Sequence, residues 1–140
     1  MSGVEQPLAA LSDEECWSRL RETEIGRLAL APAGEIDIFP VNFTVHAGAL
    51  YFRTAPGSKL LDLTVNPDVA FEIDGWDDTT AFSVVVKGIA ERLESQTEID
   101  EADRLPLAPW APTLKYRWVR IRPVSISGRS FQRGPEPERY

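Results

Sequence analysis

Arg53, Thr54, Ser58 and Lys59 place two cations and two hydroxyls within seven residues, on either side of Pro56-Gly57. The segment runs Tyr51-Phe52-Arg53-Thr54-Ala55-Pro56-Gly57-Ser58-Lys59. It reads as a strand from Leu50 to Thr54, a Pro-Gly turn, and a polar start to a short helical run from Lys59 to Val65. Such a junction gathers side-chain donors and free backbone N–H groups in one small volume, which is the chemistry of a phosphate site. Arg53 offers a bidentate charged contact, Lys59 a point charge, and the hydroxyls orient the group. The pattern is no Walker loop, because the upstream glycine is missing. The bland alternative is a helix that begins with a serine cap beside a surface lysine.

Little else in the chain has catalytic character. One cysteine, Cys16, and one histidine, His46, exclude an internal disulfide and argue against a protein-ligated zinc site. His46 adjoins a hairpin turn and reads as exposed, so no catalytic residue and no metal ligand is assigned. The net charge of -7 argues against general nucleic-acid binding. Six basic residues from Lys115 to Arg133 face six acidic ones from Glu91 to Asp103 in composition. They read as two solvated faces that attract each other or a partner. The sharper alternative sets one or two of those arginines, such as Arg122 or Arg129, against an anionic ligand. No stretch approaches the roughly 20 apolar residues that span a bilayer. The first ten residues lack a secretory pattern, so a cytoplasmic location is expected. At 140 residues the chain reads as one domain over 1–133, with a disordered tail at 134–140.

The elements that must position the site follow from local signals. Ser12-Asp13-Glu14-Glu15 is a capping box with Leu11 and Cys16 as its staple, opening a helix to about Glu24. Strands are expected at Ile25 to Ala31, Ile36 to His46 and Leu50 to Thr54, with turns at Pro32-Glu35 and Ala47-Gly48. Phe39, Val41, Phe43 and Val45 share one face of the second strand; Pro40, Asn42 and Thr44 share the other. Pro40 marks a strand edge. Val69, Phe71 and Ile73 alternate with polar or small residues, a half-buried strand. A Gly75-Trp76-Asp77-Asp78 turn leads to a long strand from Thr80 to Leu93, then a polar helix from Ser95 to Leu105. Pro106 to Pro112 is loop around Trp110, a ring that a proline-flanked loop cannot readily bury within its own chain. Tyr116 to Arg122 and Val124 to Ser130 finish the sheet. The fold class is mainly β, antiparallel, with short flanking helices.

The ordered set Gly26-Arg27-Leu28-Ala29, Pro40-Val41-Asn42-Phe43, Leu50 to Thr54, Gly57-Ser58-Lys59-Leu60, Asn66 to Asp74, Ser83 to Gly88 and Ile126-Ser127-Gly128-Arg129 resembles the pyridoxamine 5′-phosphate oxidase-like family. The resemblance covers roughly Leu11 to Arg129. It implies a six-stranded antiparallel split β-barrel that binds flavin mononucleotide (FMN) in clefts at a homodimer interface. On this resemblance Arg53, Thr54, Ser58 and Lys59 match phosphate-binding positions, and Val41 and Asn42 match the strand along the isoalloxazine ring. Ser83 and Val84 match the ring's other edge, and Trp110 a residue reaching the partner's cleft. Relatives often carry Gly-Trp-Ser-Val where this chain has Ala81-Phe82-Ser83-Val84, which alters a pocket wall. The implied activity is a flavin-dependent oxidoreductase acting on a small molecule. The alternatives are a deazaflavin-dependent reductase on the same fold, or a non-catalytic flavin-binding or sensing module.

Overall fold

The computed structural model describes residues 8–55, 66–107 and 117–138. Among these residues, eight strands and two α-helices occur in the order β1 (Leu8–Ala10), α1 (Asp13–Arg21), β2 (Ile25–Leu30), β3 (Asp37–Asn42), β4 (Thr44–His46), β5 (Ala49–Thr54), β6 (Asp68–Trp76), β7 (Thr80–Arg92), α2 (Gln96–Ala102) and β8 (Arg117–Gln132), with one 3-10 turn at Pro32–Gly34. One antiparallel sheet runs β3-β2-β6-β7-β8-β5-β4, with β1 added on β8.

That order dictates the shape. β3 and β4 stand at opposite ends of the sheet, yet Asn42 and Thr44 are separated only by Phe43. The sheet must therefore curl until its two ends meet, giving the antiparallel half-barrel that the sequence leads one to expect. Six strands are six residues or longer. The inner faces of these strands supply the core: Leu28, Phe52, Phe71, Val84, Val86, Val119 and Ile121 are fully buried. Each such side chain contributes roughly 1.5–3 kcal/mol on leaving water.

Helix α1 plugs one end of this core. Ser12 Oγ accepts from the Glu15 backbone N–H at 3.1 Å, and the Glu15 carboxylate accepts from the Ser12 N–H at 3.0 Å, so the capping box is complete. Cys16 and Leu20 face the core, with Leu11 and Trp17 packed against it. The helix stops at Arg21, three residues before the expected end, where Thr23 turns back through its hydroxyl to Arg19 O.

Four differences from the sequence reading have physical causes. The expected strand Ile36 to His46 breaks at Phe43, whose N–H turns to Glu24 O at 3.1 Å. Gly75 and Trp76 extend β6 instead of forming the turn, which falls at Asp77. The last two expected strands are one, continuous through Pro123. Its missing N–H is tolerated at a bulge, where the register passes from Lys87↔Ser125 to Gly88↔Pro123 and skips Val124. A Cβ on Gly88 would lie 2.3 Å from Arg122 O, so only glycine permits this approach. Finally, residues 8–10 form an edge strand on β8, an element with too few residues to show a period.

Candidate functional site

Strand β5 is buried on both faces. Leu50, Phe52 and Thr54 point into the barrel, while Ala49 and Tyr51 point outward into a second apolar cluster with Leu93, Ala102 and Trp118. Helix α2 covers that cluster. Ser95 caps it, Glu98 binds Arg120 at 2.5 Å, and Asp103 accepts from Trp118 Nε1 at 2.7 Å. Arg53 shares the outer face with Tyr51 and is the register partner of Trp118 on β8. Its guanidinium carbon stands 5.4 Å from the indole centroid. Its Nε is buried and has no hydrogen-bond partner among the described residues. A buried N–H of a cation without an acceptor is costly, so this donor calls for a partner beyond the described residues, such as a water or an anion.

The split in the barrel lies beside it. In the β4–β5 ladder Thr44 pairs with Tyr51, Val45 with Leu50 and His46 with Ala49. Carried upstream, that register would set Asn42 opposite Arg53 and Val41 opposite Thr54. No ladder forms there, although β3 and β5 touch. Instead the Phe43 N–H and Asn42 Nδ2 both donate to Glu24 O, at 3.1 and 3.3 Å, drawing the chain toward β2. β3 and β5 thus approach without pairing, and the split in the barrel falls between them, with Asn42 at the end of one strand and Arg53 near the end of the other.

Of the sequence-predicted residues, Val41 and Asn42 end β3 and Arg53 and Thr54 end β5, two strands that touch. Val41 and Thr54 are buried, Val41 in the main core cluster. Ser83 and Val84 stand apart. Pro40, Arg27, Glu72, Val85 and Ser127 form one cross-strand row, and Asn42 and Ser83 each lie two residues further in the same direction. Three strand spacings separate them, about 14 Å along the sheet. Val84 is wholly core. Ser58, Lys59 and Trp110 lie outside the described residues. Phe82, expected to alter a pocket wall, packs against the core beneath Arg19, whose guanidinium is 4.5 Å above its ring.

Electrostatics separate the two ends further. Asp74 is the register partner of Ser83, and Arg27 bridges Asp74 and Glu72, the latter at 2.6 Å. Burial first, then the neighbouring Asp74, pushes the Glu72 carboxyl up; the Arg27 hydrogen bond holds Asp74 down. Two carboxylates sharing one cation make the Ser83 end unfavourable for a phosphate. Among the described residues, Arg53 has no carboxylate partner. The basic run near the C-terminus is internally neutralised in part: Glu91 accepts from Arg120 at 2.7 Å and from Arg122 at 2.5 Å. The contact between Trp118 and Arg53 is not legible in the sequence, which has them 65 positions apart. The local signal is the alternation Trp118, Arg120, Arg122 against Val119 and Ile121.

The profile of the pyridoxamine 5′-phosphate oxidase family matches residues 12–130. A candidate pyridoxamine 5′-phosphate oxidase from Corynebacterium glutamicum is 47% identical, with 96% of this chain and 100% of that one covered, at a TM-score of 0.87. The FAD binding protein from Mycobacterium smegmatis is 36% identical over 88% of this chain and 98% of that one, with a TM-score of 0.77. An uncharacterised protein of Mycobacterium tuberculosis is 42% identical over 95 residues, 68% of this chain and 86% of its own length. With the split barrel, a profile match over nearly the whole chain and a relative 47% identical along its full length, the protein belongs to the pyridoxamine 5′-phosphate oxidase family.

Proposed function

We propose that the protein is a flavin-dependent oxidoreductase that binds FMN by its phosphate at the Arg53 lip of the split. The observation that carries this reading is the buried, unpartnered Nε of Arg53 on the strand where the barrel is split, β5 touching β3 without pairing to it. Arg53 would give the phosphate a charge-assisted hydrogen bond, and Ser58 and Lys59, matched by resemblance, would complete the grip. Asn42 would meet the ring's polar edge. When bound, the flavin supplies hydride or electron transfer, and the chain supplies binding and orientation.

A homodimer is part of the same reading. Ile36, Ile38 and Val124 are 75%, 64% and 74% exposed on a sheet face that no described helix covers, an apolar surface suited to a second copy. From that copy Trp110 would approach the cleft.

Titration of the purified protein with FMN and FAD, followed by flavin fluorescence, tests the proposal. Both ligands carry the phosphate that Arg53 would hold, and the M. smegmatis relative is described as FAD-binding. Tight FMN binding, weakened about tenfold or more in Arg53→Ala, is expected. Folded wild-type protein that binds neither flavin would sink it. Light scattering should give the mass of a dimer, and a concentration-independent monomer would remove the shared cleft.

A further inference from the structure

We propose that Trp118 is the positioning residue of the anion grip: its indole face holds the Arg53 guanidinium in place without neutralising it. The inference rests on the reading of Arg53 as a phosphate ligand and adds a residue that no motif supplied. Most described arginines of the sheet are answered by carboxylates. Arg27 faces Glu72 and Asp74, Arg92 faces Glu94, Arg120 faces Glu91 and Glu98, and Arg122 faces Glu91. Arg53 is held differently. Its cation lies over a π-face, which attracts it through the ring quadrupole without accepting a hydrogen bond, and its Nε–H has no partner among the described residues.

The indole is itself fixed on three sides. Trp118 is 2% exposed, packs edge-on against Tyr51 at 6.5 Å between centroids, and donates its N–H to Asp103 at 2.7 Å. That last bond is in the ring plane, whereas the guanidinium lies over the ring. Asp103 is thereby occupied at the indole edge rather than at the cation. A carboxylate paired directly with Arg53 would compete with a phosphate; an aromatic platform orients the cation and competes with nothing. Trp118 touches no ligand in this arrangement and acts only through Arg53.

Two measurements test this separately from the flavin reading. Proton NMR of the ligand-free protein should show cross-relaxation between the Arg53 side chain and the Trp118 ring; its absence overturns the proposal whatever FMN does. In FMN titrations, Trp118→Leu should weaken binding about tenfold, while Trp118→Phe, which keeps a π-face, stays within about threefold of wild type. Arg53→Ala should hide the effect, so that the double variant with Trp118→Leu binds no worse than Arg53→Ala alone. Unchanged affinity in folded Trp118→Leu, or losses that simply add, would overturn it. Should Trp118→Leu not fold, the NMR contact and the Phe variant still decide: an absent contact, or loss of binding in a folded Phe variant equal to that of Arg53→Ala, counts against the platform. A wild-type protein that shows the contact but binds no flavin defeats the flavin reading and leaves the cation platform standing.

Discussion

A Cβ placed on Gly128 would lie 2.7 Å from Cys16 Sγ, so helix α1 docks on β8 only because that strand position has no side chain. The same Cβ would meet Leu11 Cδ1 at 3.0 Å and Ser83 O at 3.2 Å. No single rotamer change relieves three contacts. Burial pushes the Cys16 thiol up, with the Asp13 and Glu15 charges adding to it, so the sulfur serves as a small apolar knob. Gly128→Ala should therefore cost about 1–3 kcal/mol in urea denaturation. Pairing it with Cys16→Ala should recover part of that loss, because the two sites share one contact.

The β4–β5 hairpin turns through Ala47 at φ 48° and Gly48 at φ 73°. Both central residues are left-handed, as a two-residue hairpin of primed type requires, but only the second is glycine. Alanine is strained there, and asparagine tolerates the region better. Ala47→Asn should raise stability by about 0.5–1 kcal/mol in chemical denaturation. A loss of stability would show that the turn relaxes in solution.

Asp77 organises the β6–β7 hairpin. Its Oδ1 accepts from the backbone N–H of Thr80 at 2.8 Å and of Thr79 at 2.9 Å, and from both threonine hydroxyls. The Thr80 and then Thr79 backbone bonds hold its carboxyl at about 2, below the usual 3.8. A lowered folded-state value means the contribution is present above the ordinary carboxylate range and is lost as pH falls toward 2. The stability advantage of wild type over Asp77→Asn should be constant above about pH 5 and shrink below pH 4. A pH-independent difference in thermal melts would refute the linkage.

Arg120 and Arg122 both bind Glu91, yet they should differ in weight. Arg120 is 15% exposed and ties α2 to the sheet through Glu98, whereas Arg122 is 63% exposed. Burial alone would lower the Arg120 pKa, but Tyr51, Glu91 and Glu98 outweigh it and raise it. Arg120→Ala should cost about 1–2 kcal/mol, and Arg122→Ala no more than about 0.5, in parallel urea melts. Equal losses would mean that α2 is held by its apolar contacts instead.

Much of the framework is readable without coordinates, because it depends on residues close in the chain. The Ser12 to Glu15 box, the Ala47-Gly48 turn, and the alternation through Val69, Phe71 and Ile73 are local patterns with local causes. Pro123 misled for the same reason: proline signals a break locally, and only the partner strand shows that a bulge accommodates it. The break at Phe43 was equally hidden, since it depends on a carbonyl at Glu24.

The candidate site divides along the same line. The sequence by itself determined that Arg53 and Thr54 end a strand, setting a cation and a hydroxyl beside a Pro-Gly pair, because residue type and local pattern suffice for that. The order of motifs also identified the family. Only the tertiary structure decided that the ends of β3 and β5 would touch without pairing, that carboxylates would claim Arg120 and Arg122, and that Trp118 would lie under Arg53. Those outcomes follow from sheet closure and register, which bring together residues far apart in the chain. The pairing partner of a strand is a property of the whole sheet, and no local pattern encodes it.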